Sequence, residues 1–116
     1  MGRTLEACCD AVKGCCTVDG YDRLVADPAA DEALAGLAKA LSHPLRVAIL
    51  RRLAACDTCV CGDIVSDLGH PQSTVSQHLK VLRDAQLVRA SEQGKHVCYC
   101  IDGDGLRRLR VLLAAL

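Results

Sequence analysis

The sequence predicts a mainly α-helical domain carrying one small β-hairpin, and three observations predict it. Apolar residues recur at helical spacing through most of residues 27 to 116, as amphipathic helices require. Proline follows a capping residue at Asp27-Pro28 and again at His43-Pro44, the positions at which a helix opens. Two short extended stretches, Leu87 to Ala90 and His96 to Ile101, lie around Glu92-Gln93-Gly94-Lys95, residue types that suit a hairpin turn.

Taken in order, residues 1 to 26 show no sustained helical period and hold the pairs Cys8-Cys9 and Cys15-Cys16 among Gly14 and Gly20. They are read as a flexible cysteine-containing arm, and residues 27 to 116 as the folded domain. Asp27 caps and Pro28 opens a first helix, whose apolar positions are Leu34, Leu37, Ala38 and Leu41. Ser42 or His43 caps a second helix that buries Val47, Ile49, Leu50 and Leu53 and turns Arg46, Arg51 and Arg52 to solvent. Ile64, Val65 and Leu68 mark a short third helix stopped by Gly69, with His70-Pro71-Gln72 as the turn. Ser73 caps a fourth helix, with Val75, Leu79 and Leu82 facing inward. Behind the hairpin, Leu106 to Leu116 form a last helix striped by Leu106, Leu109, Leu112 and Leu113. Helices, two strands and a helix in this order make a winged helix-turn-helix.

Composition narrows the function. No stretch approaches the ~20 apolar residues that span a bilayer, and Glu6 and Asp10 interrupt any signal-peptide core. A cytoplasmic protein with no membrane partner is expected. Nine cysteines, an odd number, suit reduced thiols for metal or redox work better than a disulfide scaffold. With no Phe or Trp and two Tyr, the core is thin, and a homodimer sharing apolar helices is the expected remedy. Formal charge sums to zero, but residues 1 to 32 hold three basic and seven acidic side chains against seven and four in residues 71 to 116. The C-terminal part is the basic one.

A helix that reads DNA needs hydrogen-bonding side chains near its N-terminus for base edges and cations beyond them for phosphates. Gln72, Ser73, Thr74, Ser76, Gln77 and His78 suit the first role, and Lys80, Arg83 and the wing-tip Lys95 the second. The preceding short helix, the turn and the trailing hairpin set this helix apart from an ordinary amphipathic surface helix. Double-stranded operator DNA is therefore the expected partner. His43, His70 and His96 are read as caps, turn residues or wing contacts.

At these residues the chain resembles the ArsR/SmtB family of metal-responsive repressors. The matching stretches are LAKALSHPLRVAILRRL, DIVSDLGHPQSTVSQHLKVLRDAQLV and ASEQGKHVCYCI, within residues 37 to 101. The resemblance implies a dimeric repressor released from its operator by an inducing ion. One departure is Gln86, where the family usually has Gly. The segment TCVCGD resembles the family's arsenic and cadmium site, on which Cys59 and Cys61 fall; the third cysteine of the arsenic-type pattern is here Ile64. GCCTV resembles the paired N-terminal cysteines of some arsenic sensors, which ranks Cys15 and Cys16 above Cys8 and Cys9. The His and carboxylate ligands that the zinc-sensing branch carries on its last helix are missing from residues 105 to 116.

Spacing constrains such a site. Residues two apart lie on nearly opposite sides of a helix, so Cys59 and Cys61 share an ion only where the backbone is extended or distorted, whereas Cys56 and Cys59 can share a face. The candidate ligands are Cys15, Cys16, Cys59, Cys61 and Cys56. Thiolates select soft ions, and three sulfurs suit As(III) or Sb(III) as inducer, with Cd(II) or Pb(II) as alternatives. A thiol redox or persulfide sensor on the same scaffold is a further reading. An enzyme is not expected, because no thioredoxin-like βαβ pattern surrounds Cys56-Asp57-Thr58-Cys59. Cys98 and Cys100 are read as small apolar fillers on one face of a strand.

Overall fold

The computed structural model describes residues 27–56 and 68–116. Among them, four helices and one antiparallel hairpin follow in order: α1 (Pro28–Ala40), α2 (Pro44–Ala54), α3 (Gln72–Asp84), β1 (Val88–Gln93), β2 (His96–Ile101) and α4 (Gly103–Ala114). This is the winged helix-turn-helix order. The arm at residues 1 to 26, and Ile64 and Val65 of the expected third helix, lie outside the described residues. Leu68 is helical, and Gly69 follows at φ 66, the left-handed conformation that favours glycine at a helix end.

Local chemistry sets the helix starts. The Asp27 carboxylate accepts from the Ala30 N–H at 3.1 Å, and Pro28 opens α1. His43, not Ser42, caps α2: its Nδ1 accepts from the Leu45 N–H at 3.1 Å, while the Ser42 hydroxyl donates back to the Lys39 carbonyl at 2.6 Å. Ser73 does not cap α3. That helix begins one residue earlier, with Pro71 at the cap position and no side-chain cap bond. The last helix starts at Gly103, three residues before the expected Leu106, because Asp102 accepts from the Gly105 N–H at 3.1 Å. That bond, ahead of the smaller contribution of Arg89, holds the Asp102 carboxyl below its ordinary range.

The core is a single aliphatic cluster drawn from α1, α2, α3, the start of β1 and α4. Ile49, Leu53, Val75, Leu82, Leu87 and Val88 are fully buried in it. Val75, Leu79 and Leu82 face inward as their spacing requires, and Leu45 and Ala40 join them. Leu113 does not: it is 49 % exposed, so the inner stripe of α4 is Leu106, Leu109 and Leu112. The hairpin pairs Val88 with Ile101 through Gln93 with His96, so β1 runs three residues past Ala90. Only Gly94 and Lys95 form the turn, and Gly94 takes φ 64, which lets a two-residue loop match strand twist.

The junction between α3 and the hairpin is closed by backbone bonds. The Leu87 N–H donates to the Leu82 carbonyl at 3.0 Å and the Gln86 N–H to the Arg83 carbonyl at 2.9 Å, the paired bonds that close a helix through a left-handed residue. Gln86 is that residue, at φ 64. Leu82 and Leu87 are both wholly buried, supplying the apolar contact of this motif. The Asp102 N–H then donates to the Leu87 carbonyl at 2.9 Å, bringing α4 against the same corner. A Cβ added to Gly105 would overlap the Gln86 carbonyl. Gly105→Ala is therefore expected to cost about 1–3 kcal/mol, whereas Gln86→Gly, which relieves a left-handed side chain, raises the urea midpoint. A Gly105→Ala protein with an unchanged midpoint would contradict this corner.

Candidate nucleic-acid interface

The two faces of α3 have opposite characters. Val75, Leu79 and Leu82 are locked in the core, which fixes the rotation of the helix and turns Ser73, Ser76, Gln77 and Lys80 outward at positions i, i+3, i+4 and i+7. All four are exposed, as are Gln72 and Arg83 on the same helix and Lys95 at the hairpin tip. Thr74 and His78 are half-buried. Among the described residues no carboxylate pairs with Lys80, Arg83 or Lys95, whereas Arg89 and Arg107 are engaged with Asp102 and Asp104. Side chains cap α1, α2 and α4 but not α3. Its first-turn N–H groups, at the positive end of the helix dipole, are thus open to an anion.

His78 is tied into the scaffold as well as placed on this face. Its Nδ1 accepts from Arg46 Nε at 3.1 Å, and its ring lies 4.4 Å from the His43 ring at 42°. Arg46 is accordingly half-buried, not solvated as its helical position suggested; Arg51 is exposed and Arg52 is half-buried. Sequence reasoning missed the Arg46 contact because its partner lies 32 residues away. Burial holds the His78 ring below the usual imidazole range, and the neighbouring His43, Arg46 and His70 add to the effect.

Of the five candidate ligand cysteines, Cys15, Cys16, Cys59 and Cys61 lie outside the described residues. Cys56 follows the end of α2, packed half-buried against the core. Its Sγ accepts from Arg52 Nη1 at 3.0 Å and donates to the Arg52 carbonyl at 3.4 Å. Binding an ion as a thiolate would end the donation to that carbonyl and leave the guanidinium beside the sulfur. Among the described residues no group of three or more His, Cys, Asp or Glu side chains is arranged to hold a metal ion. On the wing, Cys98 is buried and Cys100 half-buried.

Residues 43–90, from the cap of α2 into β1, match the family of bacterial regulatory proteins named arsR. An HTH-type transcriptional regulator of Methanocaldococcus jannaschii is 36% identical over 86 residues, covering 73% of this chain and 96% of that protein. The chain belongs to the arsR family. The regulator CmtR of Mycobacterium tuberculosis is 39% identical over 78 residues, 67% of this chain and 65% of CmtR. Among solved structures, one described as a possible transcriptional regulator for arsenical resistance is 28% identical with a TM-score of 0.59, over 66% of this chain and 79% of that one. This arsR-family chain is a helix-turn-helix transcriptional regulator, not an enzyme. Among the described residues no single helix is long and apolar enough to cross a membrane.

The environment of His78 gives this regulator a pH dependence. The unfolded chain takes up the imidazole proton near pH 6.5, the folded protein only at lower pH. Between those values the unfolded state binds more protons, so the stability tied to neutral His78 is complete above about pH 6.5 and falls as pH drops towards the folded value. The urea midpoint should decline on acidification from pH 7.5 to 5.5, less steeply in His78→Gln. Equal slopes for the two proteins would contradict the assignment.

Proposed function

We propose that the protein is a homodimeric transcriptional repressor that binds a palindromic operator in the cytoplasm and leaves it when As(III) or Sb(III) binds its cysteine thiolates. The observation that carries the DNA half of this reading is the outer face of α3: exposed Ser73, Ser76, Gln77 and Lys80 ahead of Arg83, with an N-terminus no side chain caps. Gln72, Ser73, Thr74, Ser76, Gln77 and His78 contact base edges and adjacent backbone, while Lys80, Arg83 and wing Lys95 contact phosphates. Two such helices bind successive major grooves, about 34–36 Å apart. Apolar residues on and just after α4, with Val111 61 %, Leu113 49 % and Leu116 73 % exposed, supply an interface for the second copy.

The inducer half rests on the donor set. Cys59 and Cys61 with Cys15 and Cys16 offer several soft thiolates and no carboxylate cluster, with Cys56 close by in sequence, a composition that selects soft ions. The similarity to the arsenical-resistance structure supports As(III) or Sb(III) over Cd(II) or Pb(II). Ion capture by arm and helix-start cysteines stabilises an arrangement in which the paired α3 helices no longer match the groove spacing, a shift of population requiring only differential affinity for the two states. The nine cysteines of so short a chain also suit a second reading, a thiol redox sensor. It predicts release by oxidant, with a regulatory disulfide found by mass spectrometry and no response to ions.

Fluorescence anisotropy of the reduced protein on operator DNA tests the main reading. Arsenite or Sb(III) should weaken binding about 5–150-fold, and Cys59→Ser with Cys61→Ser should abolish the response while leaving ion-free binding intact. No response to arsenite, Sb(III), Cd(II) or Pb(II) would refute ion sensing.

A further inference from the structure

Arg46 joins three helices through one side chain. From α2, its Nε donates to His78 Nδ1 on α3 at 3.1 Å, and its Nη1 donates to the Lys39 and Ala40 carbonyls at the end of α1, at 3.1 and 3.5 Å. The α1 carbonyls belong to its last turn, past the regular helical ladder, where a cation is favoured; that of Lys39 also accepts from the Ser42 N–H and hydroxyl. These contacts hold the guanidinium against α1 while it bonds the recognition helix.

The contact decides more than position. A guanidinium in a protein donates only, so the His78 nitrogen facing Arg46 must be the unprotonated one. The neutral ring then carries its proton on Nε2. His43 obeys the same constraint, since its Nδ1 accepts from the Leu45 N–H, and its ring packs on that of His78 at 4.4 Å. The two rings and the guanidinium together leave His78 one donor and fix its plane beside the exposed Gln77 and Lys80.

We propose that Arg46 is a positioning residue for DNA reading, which locks His78 as the Nε2–H tautomer on α3 and anchors that ring to the end of α1. The part concerning DNA rests on the repressor reading above; the tautomer lock does not. His78 is then a single-donor contact whose hydrogen-bonding sense is set by α2, and Arg46 affects operator affinity without touching DNA.

Two measurements separate these parts. In long-range 15N–1H spectra of the DNA-free, reduced full chain at pH 7.5, His78 should show an unprotonated Nδ1 and a protonated Nε2. Arg46→Gln, whose amide can donate or accept, should give a mixture of tautomers, and Arg46→Lys, which like arginine only donates, should restore the wild-type pattern. A protonated Nδ1 in the wild-type protein overturns the lock whatever the DNA result and needs no variant to fold. In operator titrations, Arg46→Gln and His78→Gln should each weaken binding by about tenfold, the scale of one charge-assisted hydrogen bond, and the double variant should lose no more than His78→Gln alone. Full additivity of the two losses overturns the positioning role. A wild-type protein that binds no operator refutes the repressor reading, and the spectra still decide the lock.

Discussion

The orientation of α3 depends on the corner where it ends. Two backbone bonds reverse the chain at Gln86, Leu82 and Leu87 fill the interior beside it, and the Asp102 N–H draws α4 onto the Leu87 carbonyl. Helix, hairpin and last helix therefore leave one point with little freedom to pivot, because a packed aliphatic core resists small displacements. At its middle, the Arg46 to His78 bond ties α3 to α2 and, through the α1 carbonyls, to the first helix. α3 is thus held at its middle and at its C-terminal end, and of its outward polar side chains Arg46 engages His78.

This architecture bears on how such a regulator can respond to an ion. A helix clamped twice moves as a body, so in the dimeric repressor proposed above induction would work through where α3 sits relative to its counterpart and would leave its internal hydrogen bonds alone. The exposed apolar residues at the C-terminal end of α4 matter in this context. That helix shares the Gln86 corner with α3, so in the proposed dimer a change in how two copies meet would be carried to α3 through packed backbone and not through flexible side chains.

Much of the fold was legible because its signals are local. Asp27-Pro28 and His43-Pro44 announce helix starts through groups two or three residues apart, and the spacing of Val75, Leu79 and Leu82 reports a buried face directly. Features that failed depend on partners far along the chain. Arg46 looked solvated because nothing nearby in sequence shows that His78 waits across the interface. Ser73 looked like a cap because serine favours that position, yet the helix starts at Gln72. The strand β1 looked short because Glu92 and Gln93 resemble turn residues, whereas the register brings them into pairing. Gln86 was visible as a departure from the usual Gly, and its φ of 64 supplies the physical reason a Gly is favoured. The polar face of α3 was legible in large part, with Ser73, Ser76, Gln77, Lys80 and Arg83 exposed but Thr74 and His78 half-buried, and the proposed ligand cysteines other than Cys56 lie outside the described residues.

Hydrogen exchange of the reduced full chain, measured by mass spectrometry with and without arsenite, tests the idea of a recognition helix that is repositioned without being remodelled. Amides from Val75 to Arg83 should keep the same protection in both states, while operator release proceeds. Loss of protection across that stretch on adding arsenite would show that the ion unwinds α3, and the account of a helix clamped at its middle and its C-terminal end would be wrong.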